Sequence, residues 1–134
     1  MSTGGADGGR RALGRAAEAL AAAFLAGEGY EILDRNHATR EGEVDLVCRE
    51  GSVLCFVEVR SRTSDAQGGP EETVGPRKAR RVVRAATDWA RRHDALEQEI
   101  RFDVVAVTFA DDGAAPRVDL YRRAFDADGL PGHW

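Results

Sequence analysis

Residues Gly42–Arg60 carry the stretch GEVDLVCREGSVLCFVEVR, which decides the fold because it predicts one β-hairpin. Apolar residues alternate with other residues on both sides of a central Glu50-Gly51 pair, a period-two pattern that is typical of strands. Glycine takes the positive φ that a two-residue turn requires, so we predict the turn at Glu50-Gly51. The wholly apolar face would consist of Val44, Leu46, Cys48, Val53, Cys55, Val57 and Val59.

The other face of the hairpin gathers three acids and one arginine. With the turn so placed, Glu43 lies opposite Glu58 and Asp45 lies opposite Phe56. Asp45 and Glu58 are then diagonal neighbours, about 7 to 8 Å apart at Cα, and one divalent ion can bridge that separation. Arg60 follows on the same face. The pattern therefore predicts a cluster of ionic side chains on one side of the hairpin.

This acidic cluster has two interpretations. Hard oxygen ligands without histidine or cysteine nearby suit Mg²⁺ or Mn²⁺, with water and a substrate phosphate completing the shell. Because neighbouring carboxylates repel one another, a cation is expected to compensate them. The alternative is the solvent-exposed face of an antiparallel hairpin, where acids are ordinary. The register matters here, since an odd-numbered slip would send Glu58 to the other face.

The length and composition of the chain are those of one globular domain, with 134 residues of which 43% are hydrophobic and 31% charged. No apolar run approaches membrane-spanning length, and the start, MSTGGADGGRRALG, lacks the apolar core of a signal peptide. We therefore expect a cytoplasmic protein without a membrane partner. Cys48 and Cys55 are predicted on the buried face and not directly opposed, as small core residues rather than a disulfide or zinc pair.

Basic residues concentrate in the segment 77–92, although the net charge of the whole chain is −4. A local basic stripe can follow a phosphate backbone even on an acidic protein. The alternative is a solvated helix face. The segment contains Arg77, Lys78, Arg80, Arg81, Arg84, Arg91 and Arg92, of which the first five are the candidate nucleic-acid contacts.

The rest of the chain supplies helices and strands around the hairpin. Glu18 borders the apolar stripe of a first helix, whereas His37 is interpreted as a surface residue of a loop. The 61–76 loop is longer than most connections and is predicted to form a functional flap over the hairpin face. A strand, a helix and a strand in succession predict a parallel crossover, and hence an α/β fold in which helices flank a mixed sheet with a central hairpin. The predicted segments are a disordered tail (1–9), a helix (10–26), a strand (30–36), the hairpin (43–60), a helix (76 to about 93), a buried strand (100–109), a last strand (118–121) and a C-terminal tail (126–134), with a single domain over 10–125.

The order of these motifs resembles a known family. The chain carries LGRAAEALAAAFL, then GYEIL, GEVDLV, FVEVR, PRKARR and RFDVVAV. This series closely resembles the YraN-like uncharacterised proteins of bacteria, in the restriction-endonuclease-like PD-(D/E)XK superfamily, from about Leu13 to Phe125. The resemblance implies a nuclease-like core in which Asp45 and Glu58 bind the metal. It also implies that the residue two positions after the second acid positions or activates the attacking water.

That residue departs from the superfamily pattern, because Arg60 stands where the superfamily has lysine. Arginine stays protonated, so it can stabilise developing charge on a phosphate but cannot give up a proton. The resemblance therefore leaves cleavage open. Lys78, the only lysine of the chain, is a hypothetical substitute that reaches the site from the start of the second helix. A phosphate contact or a plain surface charge is the alternative for Lys78.

Three functional hypotheses follow. The first is a Mg²⁺- or Mn²⁺-dependent, endonuclease-like phosphodiesterase that acts on nucleic acid, with DNA as the expected substrate, and whose Asp45 and Glu58 hold the ion. Glu43 would assist directly or through water, Glu18 would orient these groups, and Arg60 would steady the scissile phosphate. The second hypothesis is a non-catalytic nucleic-acid-binding module on the same fold. The third is an assembly protein whose basic helix meets an acidic partner, and a homo-oligomer is compatible with each.

Overall fold

The structure is a computed structural model that describes residues 5–63 and 74–130, with side chains described from Gly14 onward. Helix α1 begins at Gly5, ahead of the predicted start at Arg10 and inside the segment predicted as a tail. Strand β3 continues to Thr63, so it takes the first residues of the predicted flap, and residues 64–73 of that flap lie outside the described part. The elements are α1 (Gly5–Gly27), β1 (Glu31–Ala38), β2 (Glu43–Glu50), β3 (Val53–Thr63), α2 (Pro76–Arg92), β4 (Ile100–Phe109) and β5 (Arg117–Phe125).

The strands of the described residues form one five-stranded sheet in the order β1-β2-β3-β4-β5. The pair β3 and β4 is parallel, and the other three pairs are antiparallel. The crossover from β3 through α2 to β4 is therefore confirmed, as is the mixed sheet with a central hairpin. This arrangement of the sheet and its two flanking helices is a restriction-endonuclease-like α/β fold. Within the described residues, neither helix combines the length and hydropathy needed to cross a membrane.

The sheet has a separate hydrophobic cluster on each face. Leu54 and Phe56 of β3 pack toward α2, where the rings of Phe56 and Trp89 meet edge to face at a centroid distance of 5.9 Å. Cys55 and Val57 of the same strand pack on the opposite face with apolar residues of α1. The alternative of a solvent-exposed hairpin face is therefore wrong for the middle of the hairpin, which is buried on both sides. On the α2-side face, polar side chains occur at the end of the hairpin far from the turn.

The hairpin register differs from the predicted one by two residues. Leu46 pairs with Val57 and Glu50 pairs with Val53, so the central residues of the turn are Gly51-Ser52 instead of Glu50-Gly51. Gly51 has a φ of 61° while Ser52 is not in the left-handed region, a pattern that fits a type II′ turn with glycine at its first central position. Because the slip is an even number of residues, the side chains keep their predicted faces near the turn.

The same register places Cys48 directly opposite Cys55, so the prediction that the two cysteines are not opposed is wrong. Both are free and fully buried. Burial raises the pKa of each thiol to about 12, so neither is a thiolate at neutral pH. Their interpretation as small core residues fits this environment.

A buried polar network ties β4 to the start of the sheet, on the α1 side. Asp103 is fully buried and accepts a hydrogen bond of 2.8 Å from the Tyr30 hydroxyl. The Arg101 guanidinium donates to Asp103 at 2.9 Å and to Glu50 at 2.6 Å, and the Arg123 amide donates to Asp103 at 3.0 Å. Burial, together with the neighbouring Asp103 carboxylate, raises the pKa of Tyr30 far above its usual range. All members of this network are paired, which indicates a structural role.

The end of the chain packs back as predicted, because Phe125 is buried and stacks on Phe102 at a centroid distance of 5.2 Å. After β5, Asp126 closes a turn by accepting hydrogen bonds from the amides of Asp128 and Leu130. Gly129 of this turn has a φ of 80°, and an added Cβ would meet the Arg80 side chain of α2. The first part of the predicted C-terminal tail is thus seated beside the start of α2.

Candidate active site

Two carboxylates from adjacent strands line a cavity of about 140 Å³ between the sheet and α2. Asp45 lies on β2 just beyond the last paired residue of the β2–β3 ladder, Leu46. Beyond that residue, the Asp45 carboxylate accepts a hydrogen bond of 2.8 Å from the Val59 amide. Glu58, the neighbour of Val59, is only 4% exposed. The structure therefore brings the two predicted metal-binding acids together, with Asp45 level with Glu58 and no longer diagonal to it.

These two carboxylates share an excess of negative charge. Burial is the main cause that raises the pKa of Asp45 well above its usual range, and the charge of Glu58 is the next. The Val59 amide acts in the opposite direction. A site in which one carboxylate resists ionisation because of another is one that a cation would stabilise.

Lys78 is the cation that the protein itself supplies to this site. Its Nζ lies 3.0 Å from Glu58 Oε2, although the lysine side chain is 58% exposed and the glutamate side chain only 5%. Pro76 begins α2 two residues earlier, and the fixed φ of proline suits that first turn. The start of α2 thus delivers the lysine from the solvent side, as hypothesised from the sequence.

Glu18 approaches Asp45 from α1. Burial raises the pKa of Glu18, the charge of Asp45 adds to the increase, and a hydrogen bond from the Asn36 side chain opposes it. Asn36 has a φ of 55°, a left-handed conformation that asparagine tolerates better than most residues. On the neighbouring strand β2, the period-two alternation is interrupted. Val44 lies in the cluster on the α2 side of the sheet, whereas Leu46, two residues later, lies in the cluster on the α1 side. Asn36 is a residue of the site that sequence analysis missed, although its residue type at a strand irregularity is a usable signal.

Glu43 and Arg60 are the other two ionic residues predicted on this face of the hairpin. Glu43 is exposed and lines the cavity, but no three acid, histidine or cysteine side chains of the described ranges converge into a ready metal-ligand group. Arg60 lies opposite Ala106 in the β3–β4 ladder and is not among the described residues that line the cavity. The structure therefore brings Asp45, Glu58 and Lys78 into one group, with Glu43 at its edge and Arg60 outside it.

The basic helix presents an open row of arginines beside this cavity. Arg77, Arg80, Arg81 and Arg84 are exposed, and none of them pairs with a carboxylate of the described part of the chain. Arg81 also lines the cavity. The buried side of α2 carries small and apolar residues instead, so the arginines necessarily face outward. Unpaired guanidinium groups in a row are well suited to phosphate contacts.

Two tertiary contacts on the other side of this cavity were not predicted. His37 lies in β1, and its Nε2 is 2.9 Å from Asp88 of α2, so its interpretation as a loop surface residue without a partner is wrong. Gly42 approaches α2 so closely that an added Cβ would overlap the Arg81 carbonyl. Both contacts join residues far apart in the sequence, which is why no local pattern indicates them. Together they fix the β1–β2 loop against α2.

The comparisons with known proteins cover the strands and the helix that form this site. The family model described as "Uncharacterised protein family UPF0102" matches residues 17–107, a range that includes Glu18, Asp45, Glu58 and Lys78. The chain belongs to the UPF0102 family. This assignment agrees with the YraN-like resemblance, and the family description states no activity. UPF0102 membership therefore identifies relatives without assigning a reaction.

Several UPF0102 proteins of bacteria are similar to this chain over most of its length. The UPF0102 protein of Anaeromyxobacter sp. (strain Fw109-5) is 74% identical over 130 residues, which cover 97% of this chain and 96% of the relative. That of Anaeromyxobacter dehalogenans (strain 2CP-C) is 72% identical over 131 residues, covering 98% and 96%. That of Chlorobaculum parvum is 46% identical over 95 residues, covering 71% and 74%.

Proposed function

We propose that this UPF0102 protein is a metal-dependent phosphodiesterase that cuts DNA internally. The observation that carries the proposal is the group formed by Asp45, Glu58 and Lys78, in which two carboxylates from adjacent strands meet a lysine 3.0 Å from one of them. An exposed row of arginines borders this group on α2. Carboxylates that hold a divalent ion, placed beside cations that hold phosphates, are the parts that phosphodiester hydrolysis requires.

The residues present fit a hard divalent cation. Asp45 and Glu58 offer oxygen ligands only, and burial, followed by the charge of Glu58, raises the pKa of Asp45, a shift that a bound cation would oppose. Mg²⁺ usually takes one or two carboxylates and completes its shell with water and substrate phosphate, so two protein ligands are sufficient. Asp45 and Glu58 would hold Mg²⁺ or Mn²⁺, with Glu43 assisting from the edge of the cavity. When bound, such an ion supplies Lewis-acid stabilisation of charge on the phosphoryl group.

The other side chains of the site bind and orient the substrate. Lys78 Nζ lies 3.0 Å from Glu58 Oε2, so it contacts the scissile phosphate or transfers a proton there. Arg60 lies two residues beyond Glu58 on β3 and adds positive charge along the path of the bound nucleic acid. Glu18 lies on the α1 side of Asp45, where the Asn36 side chain hydrogen-bonds it, so it would orient the groups around the ion. The arginine row on α2 binds the phosphate backbone without reading its sequence.

A non-catalytic DNA-binding module is the second candidate, and the Lys78–Glu58 ion pair favours it. This pair already neutralises the buried carboxylate, and Arg60 replaces the lysine that the superfamily pattern requires. A protein that had lost turnover would keep the same fold and the same arginine row. It would bind DNA with strong salt dependence and leave it intact.

The experiment that separates the two candidates incubates the purified protein with supercoiled, linear and branched DNA under Mg²⁺, Mn²⁺ or chelator. We expect nicked or linear products with either ion and none with chelator. Salt-sensitive binding without products under any condition would establish the binding module instead. The absence of both binding and products at low salt would contradict both candidates and favour an assembly protein.

Replacing Lys78 tests whether the lysine acts in the reaction. Lys78→Met should lower metal-dependent cleavage by roughly 10²-fold, because a cation positioned at the reacting phosphate is lost. Lys78→Arg is the matched control, since it keeps the charge but cannot donate a proton at neutral pH. A rate near that of the native protein in Lys78→Arg would assign an electrostatic role, whereas an equal loss in both variants would assign proton transfer. Full activity of Lys78→Met would remove the lysine from the mechanism.

A further inference from the structure

A second, larger cavity lies between the β1–β2 loop and the C-terminal half of α2. Its volume is about 710 Å³, and its lining includes His37, Thr39, Arg40, Asp88 and Arg92. The close contact of Gly42 with the Arg81 carbonyl lies between this cavity and the one that holds Asp45 and Glu58. The proposed reaction uses none of the residues of the second cavity.

Arg40 and Arg92 of this cavity are open to ligands, and the exposed carboxylate of Glu41 also lines it. Asp88 Oδ2 lies 2.9 Å from His37 Nε2 and accepts a hydrogen bond of 2.8 Å from Arg92 Nε. These two hydrogen bonds lower the pKa of Asp88. The remaining N–H groups of Arg92 have no partner among the described residues, and its side chain is 68% exposed. Arg40 is also exposed and pairs with no carboxylate of the described chain. Two exposed arginines can therefore donate to an anion, while the partly exposed Asp88 is already engaged by His37 and Arg92.

The position of the cavity links it to the candidate active site. Lys78, Arg81, Asp88 and Arg92 follow one another at spacings of three, seven and four residues, which place them on one face of α2. From Lys78 to Asp88 and Arg92 the helix rises about 15 to 21 Å. A B-form strand advances about 3.4 Å per nucleotide, so this distance corresponds to roughly four to six nucleotides.

We infer that the cavity beside His37 is a second phosphate-binding subsite, which takes a backbone phosphate of the same nucleic-acid strand some four to six nucleotides from the scissile one. Arg40 and Arg92 donate to the phosphate oxygens. Asp88 positions the Arg92 guanidinium, and His37 fixes Asp88 to the sheet. This inference rests on the proposed function, because it assumes a nucleic-acid strand that passes Lys78.

The test measures binding of labelled DNA duplexes by fluorescence anisotropy over a range of salt concentrations, with chelator present so that no cutting occurs. One duplex is long enough to cover both cavities, and the other covers only the Lys78–Arg84 part of α2. In an Arg40→Ala/Arg92→Ala variant, we expect affinity for the long duplex to fall about tenfold. The slope of log K against log salt should fall by about 1.8 because two phosphate contacts are lost, and affinity for the short duplex should be unchanged.

Arg117→Ala is the matched control, because Arg117 is an equally exposed arginine of β5, paired with Asp119 and outside both cavities. It should change neither affinity. Equal weakening of both duplexes by the double variant, or no weakening of the long one, would overturn the inference while leaving the proposed function intact. Absence of salt-dependent binding by the native protein to either duplex would instead contradict the proposed function itself.

Discussion

Replacing Asp45 with asparagine is expected to abolish metal-dependent DNA cleavage, with a loss on the order of 10³-fold. The substitution keeps the shape of the side chain and an acceptor for the Val59 amide, so the local backbone should be retained. It removes one of the two carboxylates that would hold the ion, while the other, Glu58, keeps its ion pair with Lys78. The measurement is the initial rate of plasmid nicking under Mg²⁺ and Mn²⁺.

The same variant should unfold at higher denaturant concentration than the native protein at neutral pH without metal. The pKa of Asp45 is raised in the folded state above its unfolded value, so the native protein is most stable below the unfolded pKa and loses stability as pH rises through the folded one. Asparagine does not ionise, so this part of the pH dependence should vanish in Asp45→Asn. Urea unfolding followed between about pH 4 and pH 9 checks the direction and the slope.

Metal binding gives a readout that does not depend on activity. Mn²⁺ at a hundred times its dissociation constant should stabilise the native protein by about 2.7 kcal/mol, and it should stabilise Asp45→Asn far less. Glu43→Gln is a matched control from the edge of the same cavity and should keep most of the effect. If Asp45→Asn retained both cleavage and stabilisation by Mn²⁺, the carboxylate pair would not be the metal site.

The sequence is sufficient to predict the mixed sheet, its parallel crossover and the proximity of Asp45 and Glu58, because period-two alternation and an apolar run extend over whole strands. Strand β4, predicted over 100–109, spans Ile100–Phe109 in the structure. The hairpin register was not accessible in the same way. Gly51 can occupy either central position of a two-residue turn, and the two choices differ by an even slip that leaves the alternation unchanged.

The contacts that complete the site depend on the packing of α2 against the sheet. Lys78 follows Glu58 by twenty residues, and its approach to within 3.0 Å requires the helix to begin at Pro76 and to lie over β3. The His37–Asp88 pair spans fifty-one residues and has no local signature. Gly42 does not predict its contact with α2, since a glycine before a strand can allow a turn as well as the close approach of another backbone segment. Distances of this kind are set by tertiary packing and not by periodicity.

Replacing Asp103 with alanine is expected to destabilise the protein by about 3 to 5 kcal/mol, the usual cost of breaking a buried ion pair by removing one partner. The substitution leaves the Arg101 guanidinium, whose side chain is 10% exposed, with Glu50 as its remaining carboxylate partner. It also removes the acceptor of the Tyr30 hydroxyl and of the Arg123 amide. Each orphaned donor in a buried site adds to the loss.

Urea unfolding monitored by circular dichroism measures this loss, and Asp119→Ala provides the comparison. Asp119 also pairs with an arginine, Arg117, but both side chains are substantially exposed, so its removal should cost at most about 1 kcal/mol. Tyr30→Phe should fall between the two at roughly 1 to 2 kcal/mol, since it removes the hydrogen bonds of the hydroxyl with Asp103 and Arg101 but leaves the charge pair. Equal and small losses for Asp103→Ala and Asp119→Ala would mean that the buried network does not hold β4 to the start of the sheet. A large loss confined to Asp103→Ala would show that the buried network holds β4 in the sheet.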